Sequence, residues 1–246
     1  MKIRTLIVLT LIGISQLSYS QKSTFIGFEG AVTSDIYEII DPCNIIQNTP
    51  LITGSWGFTI GQEINKNFLL ESGIIRKYYA DGYSFTKYPN NASSSNAYNS
   101  WQIPFRLKAK MNLAKNKLFL TTSVGYHFCI NSEYGWGGGE GGYDYIDGND
   151  TILGSYYTIN DSLSKTFSLI EAGIGLEFIA FNGFHIYLSS SYFVGLNKVY
   201  QLDLNVKDEI CRTENAVALS KGSYWNIAFG IKYAISNLWR KKNKGL

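Results

Sequence analysis

The chain is poor in the residues on which most metal sites and many enzymes depend, with two histidines, three cysteines, two methionines and four prolines in 246 positions. No Cys/His cluster has zinc-ligand spacing. Three cysteines in a chain of this length do not make a disulfide scaffold. Beyond the N-terminus no stretch carries 18 uninterrupted apolar residues, which excludes a helical membrane protein. No glycine-rich turn follows a strand to open a phosphate-binding helix, and no internal repeat is visible. Charge is nearly balanced, with 22 Lys and Arg against 19 Asp and Glu. Nucleic acid as a partner gets no support from that balance. No cofactor and no metal are expected.

What is present begins with MKIRTLIVLTLIGISQLSYSQ. Lys2 and Arg4 precede an apolar run from Leu6 to Ile14, and Ser18 and Ser20 flank Tyr19. This is the three-part layout of a cleavable secretory signal, and the run is about half the length a membrane-spanning helix needs. A signal at 1–20 leaves Gln21 first, with no Cys to take a lipid anchor. The mature charge falls to +1 once Lys2 and Arg4 are removed from a net +3. A tail at 236–246 carries Arg240, Lys241, Lys242 and Lys244, and reads more simply as a solvated basic segment than as a site for an anionic partner.

About 225 residues remain, rich in Tyr (18), Phe (14) and Gly (24). Their pattern is alternation with period two, broken by Gly, Asn, Asp and Ser clusters, which is the signature of strands. Eight segments stand out: 23–34, 51–62, 68–80, 98–111, 117–131, 165–178, 184–198 and 222–235. Each exceeds the roughly 9–11 residues a tilted strand needs to cross a bilayer. Short connections at 63–67, 112–116 and 179–183 alternate with long ones at 35–50, 81–97, 132–164 and 199–221. That rhythm predicts an all-β fold at 21–235: a closed, eight-stranded, antiparallel up-and-down transmembrane β-barrel, with tight periplasmic turns and long extracellular loops. Closure requires 23–34 to pair with 222–235, because an open edge in lipid would leave backbone groups unpaired.

The two faces of the segments differ in kind. Trp225, Ile227, Phe229, Ile231 and Tyr233 oppose Asn226, Ala228, Gly230 and Lys232; Trp101, Ile103, Phe105, Leu107, Ala109 and Met111 oppose Gln102, Pro104, Arg106, Lys108 and Lys110. A soluble sandwich alternates too. Aromatics at the ends of the apolar faces match the girdles of membrane barrels, and full charges beside Gly and Ser suit a narrow polar lumen.

The segment SWQIPFRLKAKMNL at 100–113, with a signal ending just before Gln21, resembles the small Bacteroidetes outer-membrane barrels called PorT-like, related in architecture to OmpA and OmpX. The resemblance implies a barrel in the cell outer membrane and little about activity. One departure is that Tyr233, where such barrels often end on an aromatic strand residue, is followed by ISNLWRKKNKGL. The assembly signal is then either internal or carried by Trp239.

The lumen face gathers Glu29, Glu71, Glu171 and Glu177 with Lys77, Arg106, Lys108, Lys110, Lys232 and His127. Side chains fill a barrel of eight strands, so these charges pair or meet water, and no continuous channel is expected. A lipid-modifying barrel enzyme needs a Ser, a His and a carboxylate close together. His185 and Ser189 lie about 13 Å apart along a strand, too far for a relay, and His127 has no evident Ser. Asp144, Asp147, Asp150 and Asn149 in the third long loop offer oxygen ligands without the spacing of a calcium loop, and read as a solvated tip. A disulfide between Cys43 and Cys211 is predicted, because closure makes the first and eighth strands neighbours; Cys129, on the lumen face, should stay reduced and buried.

The sequence thus predicts a non-enzymatic, monomeric outer-membrane barrel with a plugged lumen, whose loops act in surface binding or envelope organisation, or as an accessory to secretion. Its partners are outer-membrane lipid and an extracellular or envelope protein. A lipid-modifying enzyme and a narrow channel are the alternatives.

Overall fold

The computed structural model describes residues 23–42, 44, 46–85, 94–132, 136–147, 150–181, 183–207 and 214–235. Twelve strands occupy them: β1 (Thr24–Ile40), β2 (Ile46–Asn48), β3 (Ile52–Glu63), β4 (Phe68–Phe85), β5 (Ser94–Ala114), β6 (Leu118–Asn131), β7 (Trp136–Asp147), β8 (Asp150–Ser162), β9 (Thr166–Phe181), β10 (Phe184–Gly195), β11 (Tyr200–Lys207) and β12 (Glu214–Ala234). Eight of them close a ring in the order β1-β3-β4-β5-β6-β9-β10-β12, every pair antiparallel. The first and last strands seal it from Phe25 opposite Ala234 to Asp35 opposite Tyr224.

Local chemistry sets the short turns. Lys115 and Asn116 both have positive φ (45° and 56°), and Lys117 N–H donates to the Ala114 carbonyl at 2.9 Å. Two left-handed residues in a row give the hairpin turn whose twist matches antiparallel strands. At 64–67 the Asn65 side chain accepts from the backbone N–H groups of Asn67 and Phe68, at 2.8 and 2.9 Å, so the Asx oxygen replaces a missing backbone partner. Gly183, with φ 81°, takes the left-handed position between β9 and β10.

The alternation places unlike residues on the two sides of the wall. Phe58, Phe105, Ile174, Leu188 and Phe229 point outward, each more than half exposed, while Glu29, Glu71, Arg106, Glu171 and Lys232 are buried within. A continuous apolar exterior around a charged interior is the reverse of a soluble domain, and in water it would be an untenable apolar surface. It is the arrangement of a barrel in the cell outer membrane, where a closed ladder leaves no backbone group facing lipid unpaired.

Above the membrane the structure departs from the sequence-based expectation. The sequence reads 35–50, 81–97, 132–164 and 199–221 as loops, yet each contains strand. β1 continues to Ile40, pairing Ile40 with Val217 after a register shift between Asp35 and Tyr37. β7 and β8 form a hairpin, β8 pairs with β11, and β11 pairs with the outer half of β12. β2 pairs with the outer end of β4. The physical reason at 200–207 is legible afterwards: Leu202 and Leu204 are fully buried while Gln201, Asp203 and Asn205 are half-buried, which is strand alternation above the bilayer. In β7 the glycine run 137–139 is paired in a ladder, so cross-strand partners override its weak intrinsic preference. Asp144, Asp147 and Asp150 lie in β7 and β8, with Asp147 opposite Asp150 on the last rung of their hairpin, and Asn149 lies outside the described residues.

Candidate functional site

The interior is the part of the molecule with chemistry to explain. From the short-turn end upward it forms three layers, because inward residues on every strand recur with period two.

The lowest layer centres on Glu177 of β9. Its Oε1 accepts from Lys110 Nζ at 3.1 Å and lies 2.7 Å from His185 Nδ1, while Oε2 accepts from Lys232 Nζ. Lys110 also lies 3.8 Å from Glu63. Phe25, Leu69 and Ala234 close the floor beneath them.

The middle layer centres on Arg106 of β5. Its Nε donates to Glu171 Oε2 at 2.7 Å, and its Nη1 donates to Glu29 at 3.0 Å and to Glu71 at 3.2 Å. Three strands on different sides of the ring thus send carboxylates to one guanidinium. Its fork geometry allows this where a lysine could offer a single point charge. Lys108 Nζ lies 2.7 Å from Glu71, and Tyr187 donates its hydroxyl to Glu29 at 3.0 Å. Glu171 further receives His127 Nε2 at 2.6 Å, Ser191 Oγ at 3.1 Å and Ser123 Oγ at 3.3 Å.

The upper layer is largely apolar. Tyr79 stacks on Tyr98 at 4.6 Å and Tyr98 on Tyr200 at 5.1 Å, while Phe193 stacks on Tyr224 at 4.1 Å. Leu169, Leu202 and Leu204 fill the space between, so strands of the outward sheet help to cap the mouth. Gln102 bridges the rings, donating to the Tyr79 hydroxyl at 3.0 Å and accepting from Tyr224 at 3.1 Å. At its edge Lys77 Nζ donates to Asp35 Oδ1 at 2.7 Å and to Thr53 Oγ1 at 3.0 Å, with the Tyr78 carbonyl as third acceptor.

All ten residues proposed for the lumen face therefore lie inside the ring, and they form three clusters. Lys77 is separate from the two that hold the other nine. Sequence reasoning missed Asp35, His185 as a partner of Glu177, and Tyr187. Asp35 balances the interior, since the ten lumen residues read from the sequence hold four carboxylates against five Lys and Arg side chains. The signal that could have found it was that excess of one buried cation.

Chemically the arrangement leaves little room to act. The space left among Glu29, Arg106, Lys108, Ser123, Glu171 and Tyr187 is about 20 Å³, the room of one or two waters and not of a substrate. His127 is fully buried, with Glu171 on Nε2, Phe193 edge-on at 5.1 Å, and no hydrogen-bond partner on Nδ1. Ser123 and Ser191 spend their hydroxyls on Glu171 and not on a histidine nitrogen. His185 gives Nδ1 to Glu177. No Ser, His and carboxylate relay is formed among the described residues. Cys129 is free and buried, its thiol 3.8 Å from the His127 carbonyl oxygen; Cys43 and Cys211 lie outside the described residues, as do 1–20 and 236–246.

No protein-family model matches the chain, and no curated protein matches it either. Among solved structures it is similar to the outer membrane protein OprG from Pseudomonas aeruginosa, at 10% identity over 86% of this chain and 96% of that one, with a TM-score of 0.49. The N-terminal β-barrel domain of Pseudomonas aeruginosa OprF matches at 9% identity over 86% and 98% of the two chains, TM-score 0.39. Ail, the attachment invasion locus protein of Yersinia pestis, matches at 9% identity over 87% and 100%, TM-score 0.33. At such values the fold rests on the closed ladder and the apolar exterior described above.

Proposed function

We propose that the chain is a non-enzymatic, monomeric outer-membrane barrel that presents a rigid outward sheet to an extracellular or envelope partner, in surface binding or envelope organisation, including as an accessory to secretion. The observation that carries this reading is the sealed interior. A lumen filled by ion-paired side chains and capped by stacked tyrosines offers neither a conduction path nor a substrate pocket. Chemistry and transport are thereby disfavoured. What remains for a partner is lipid around the belt and the β7, β8 and β11 sheet above it.

The likeness of 100–113 to PorT-like barrels of Bacteroidetes supports the envelope side of this reading. Export by a signal at 1–20 and a periplasmic basic tail at 236–246 belong to the same proposal.

Two measurements test it together. Purified protein in a planar bilayer should show no ion conductance. A chain in which 136–162 is replaced by a short Gly-Ser linker should still fold into the barrel, yet lose the envelope protein that a photo-crosslinker at exposed Lys198, beside β11 and outside the deletion, captures on cells. Stepwise conductance, or capture that survives the deletion, overturns the proposal.

A further inference from the structure

Outward-facing residues of the ring strands are apolar or small along almost their whole length, with one exception. From the short-turn ends up to the row containing Trp56 and Trp101, Arg76 is the single charged side chain on the outward face among the described residues. Its neighbours Ile75 and Lys77 are buried in the lumen, so Arg76 points to the other side of the wall. Glu38, opposite Leu219, and Lys221 also face outward but lie above that row.

Depth follows from the ladder. Arg76 stands opposite Trp56 on β3 and opposite Trp101 on β5, so the three form one row across three strands. Phe68 begins the same face of β4 eight residues below. Eight residues of strand, tilted by about 40°, rise roughly 20 Å. The row is therefore the outer girdle, at the headgroup level of the outer leaflet, where a cation costs little.

The side chain is held in place there. Its guanidinium carbon lies 4.8 Å from the Trp101 ring and 5.8 Å from the Tyr78 ring. Trp101 is itself braced edge-on by Trp56 at 6.4 Å. No carboxylate lies within ion-pair distance of Arg76 among the described residues, whereas each buried Lys and Arg in the lumen has one. A guanidinium fixed against aromatic faces keeps its N–H fork pre-oriented, and the ligand that fits such a fork at this depth is a phosphate oxygen pair.

We propose that Arg76, framed by Trp101, Trp56 and Tyr78, is a binding site for the phosphate of an anionic lipid in the outer leaflet. The aromatic rings take the glycerol and upper acyl region, and Arg76 takes the charge. The lipid comes from the bilayer and not from solution, because the fork sits within the belt's own outer row.

Bromine quenching of tryptophan fluorescence tests this, since Trp56 and Trp101 report from the site. The full-length protein is placed in phosphatidylcholine vesicles containing a fixed minor fraction of either brominated phosphatidylglycerol or brominated phosphatidylcholine. The expected result is a relative affinity about fivefold higher for the anionic lipid, lost in Arg76→Gln, reduced in Arg76→Lys, which keeps the charge without the fork, and unchanged in Lys221→Gln. Arg76→Gln alters an outward side chain with no protein hydrogen bond, so the barrel should form in every variant. Equal quenching by both lipids in the wild type, a preference that persists in Arg76→Gln, or one that is abolished by added inorganic phosphate overturns the assignment.

Discussion

Lys77 on β4 and Asp35 on β1 form a buried ion pair at 2.7 Å, although β3 runs between their strands. Thr53 of β3 lies under the ammonium at 3.0 Å and also donates to Asp35 Oδ2 at 3.3 Å. Asp35 accepts the Ala80 backbone N–H as well, at 2.9 Å. The pair sits where β1 shifts register, so it ties the outer end of the barrel to its irregular strand.

Removing one partner strands the other charge in the interior. Lys77→Met and Asp35→Leu should each destabilise by about 3–5 kcal/mol, and the double substitution should cost less than either. Urea unfolding of the protein refolded in lipid vesicles measures all three. Additive losses would show that the two groups do not depend on each other.

Asp35 also marks how far the sequence could be read. Eight strands, their closure and their inward and outward faces were legible, because alternation with period two survives at every span. Ser34 closes the first segment because Thr33, Ser34 and Asp35 read as a polar turn cluster. The strand continues through it with its parity intact, Asp35 and Tyr37 buried and Ile36 exposed, and the register shift takes up its extra residues on β12. The outward strands β7, β8 and β11 were hidden for a different reason: above the bilayer, lipid no longer imposes an apolar face, and their pairing depends on partners far along the chain. The three-way convergence on Arg106 was invisible likewise, since sequence gives the face of a residue and not which facing residues meet across the ring.

Arg106 should be the most sensitive lumen position. Arg106→Met leaves Glu29, Glu71 and Glu171 converging on an apolar side chain, with loss at or above the roughly 3–5 kcal/mol typical of one stranded charge. Lys108→Met should cost less, because its side chain retains 14% exposure and Arg106 still holds Glu71. Comparing the unfolding midpoints of the two variants checks the order. The reverse order would place the centre of the network at Glu71.

Lipid-facing charge gives a second kind of failure. Phe229 points outward at 55% exposure, and Phe229→Arg should cost about 2–4 kcal/mol near the midplane. The adjacent Gly230 faces inward, where an added Cβ would collide with the ring of Tyr187. Gly230→Ala should therefore displace Tyr187 and break its hydrogen bond to Glu29. Adding Tyr187→Leu should recover part of the Gly230→Ala loss and none of the Phe229→Arg loss. Refolding stability of the four variants separates the two mechanisms.

The last prediction is a disulfide between Cys43 and Cys211, both outside the described residues. The flanking strand ends bear on it directly. Ile40 pairs with Val217, the outermost rung between β1 and β12 among the described residues, and β12 begins at Glu214. Cys43 is three residues beyond Ile40, and Cys211 is three residues before Glu214. Three residues of chain reach at most about 10 Å, enough for both thiols to meet above the rung while Cα atoms approach the 4.4–6.8 Å that the bond requires. An exported chain meets an oxidising compartment on its route. Cys129 cannot compete, being buried in the lumen. Because β1 and β12 are already joined by a continuous ladder, the bond should raise the unfolding midpoint little and restrain the outer mouth more. Mass spectrometry of the non-reduced protein should find a peptide joining Cys43 to Cys211 and a free thiol at Cys129. Free thiols at all three positions, or a bridge that includes Cys129, would show that these segments leave the barrel in different directions.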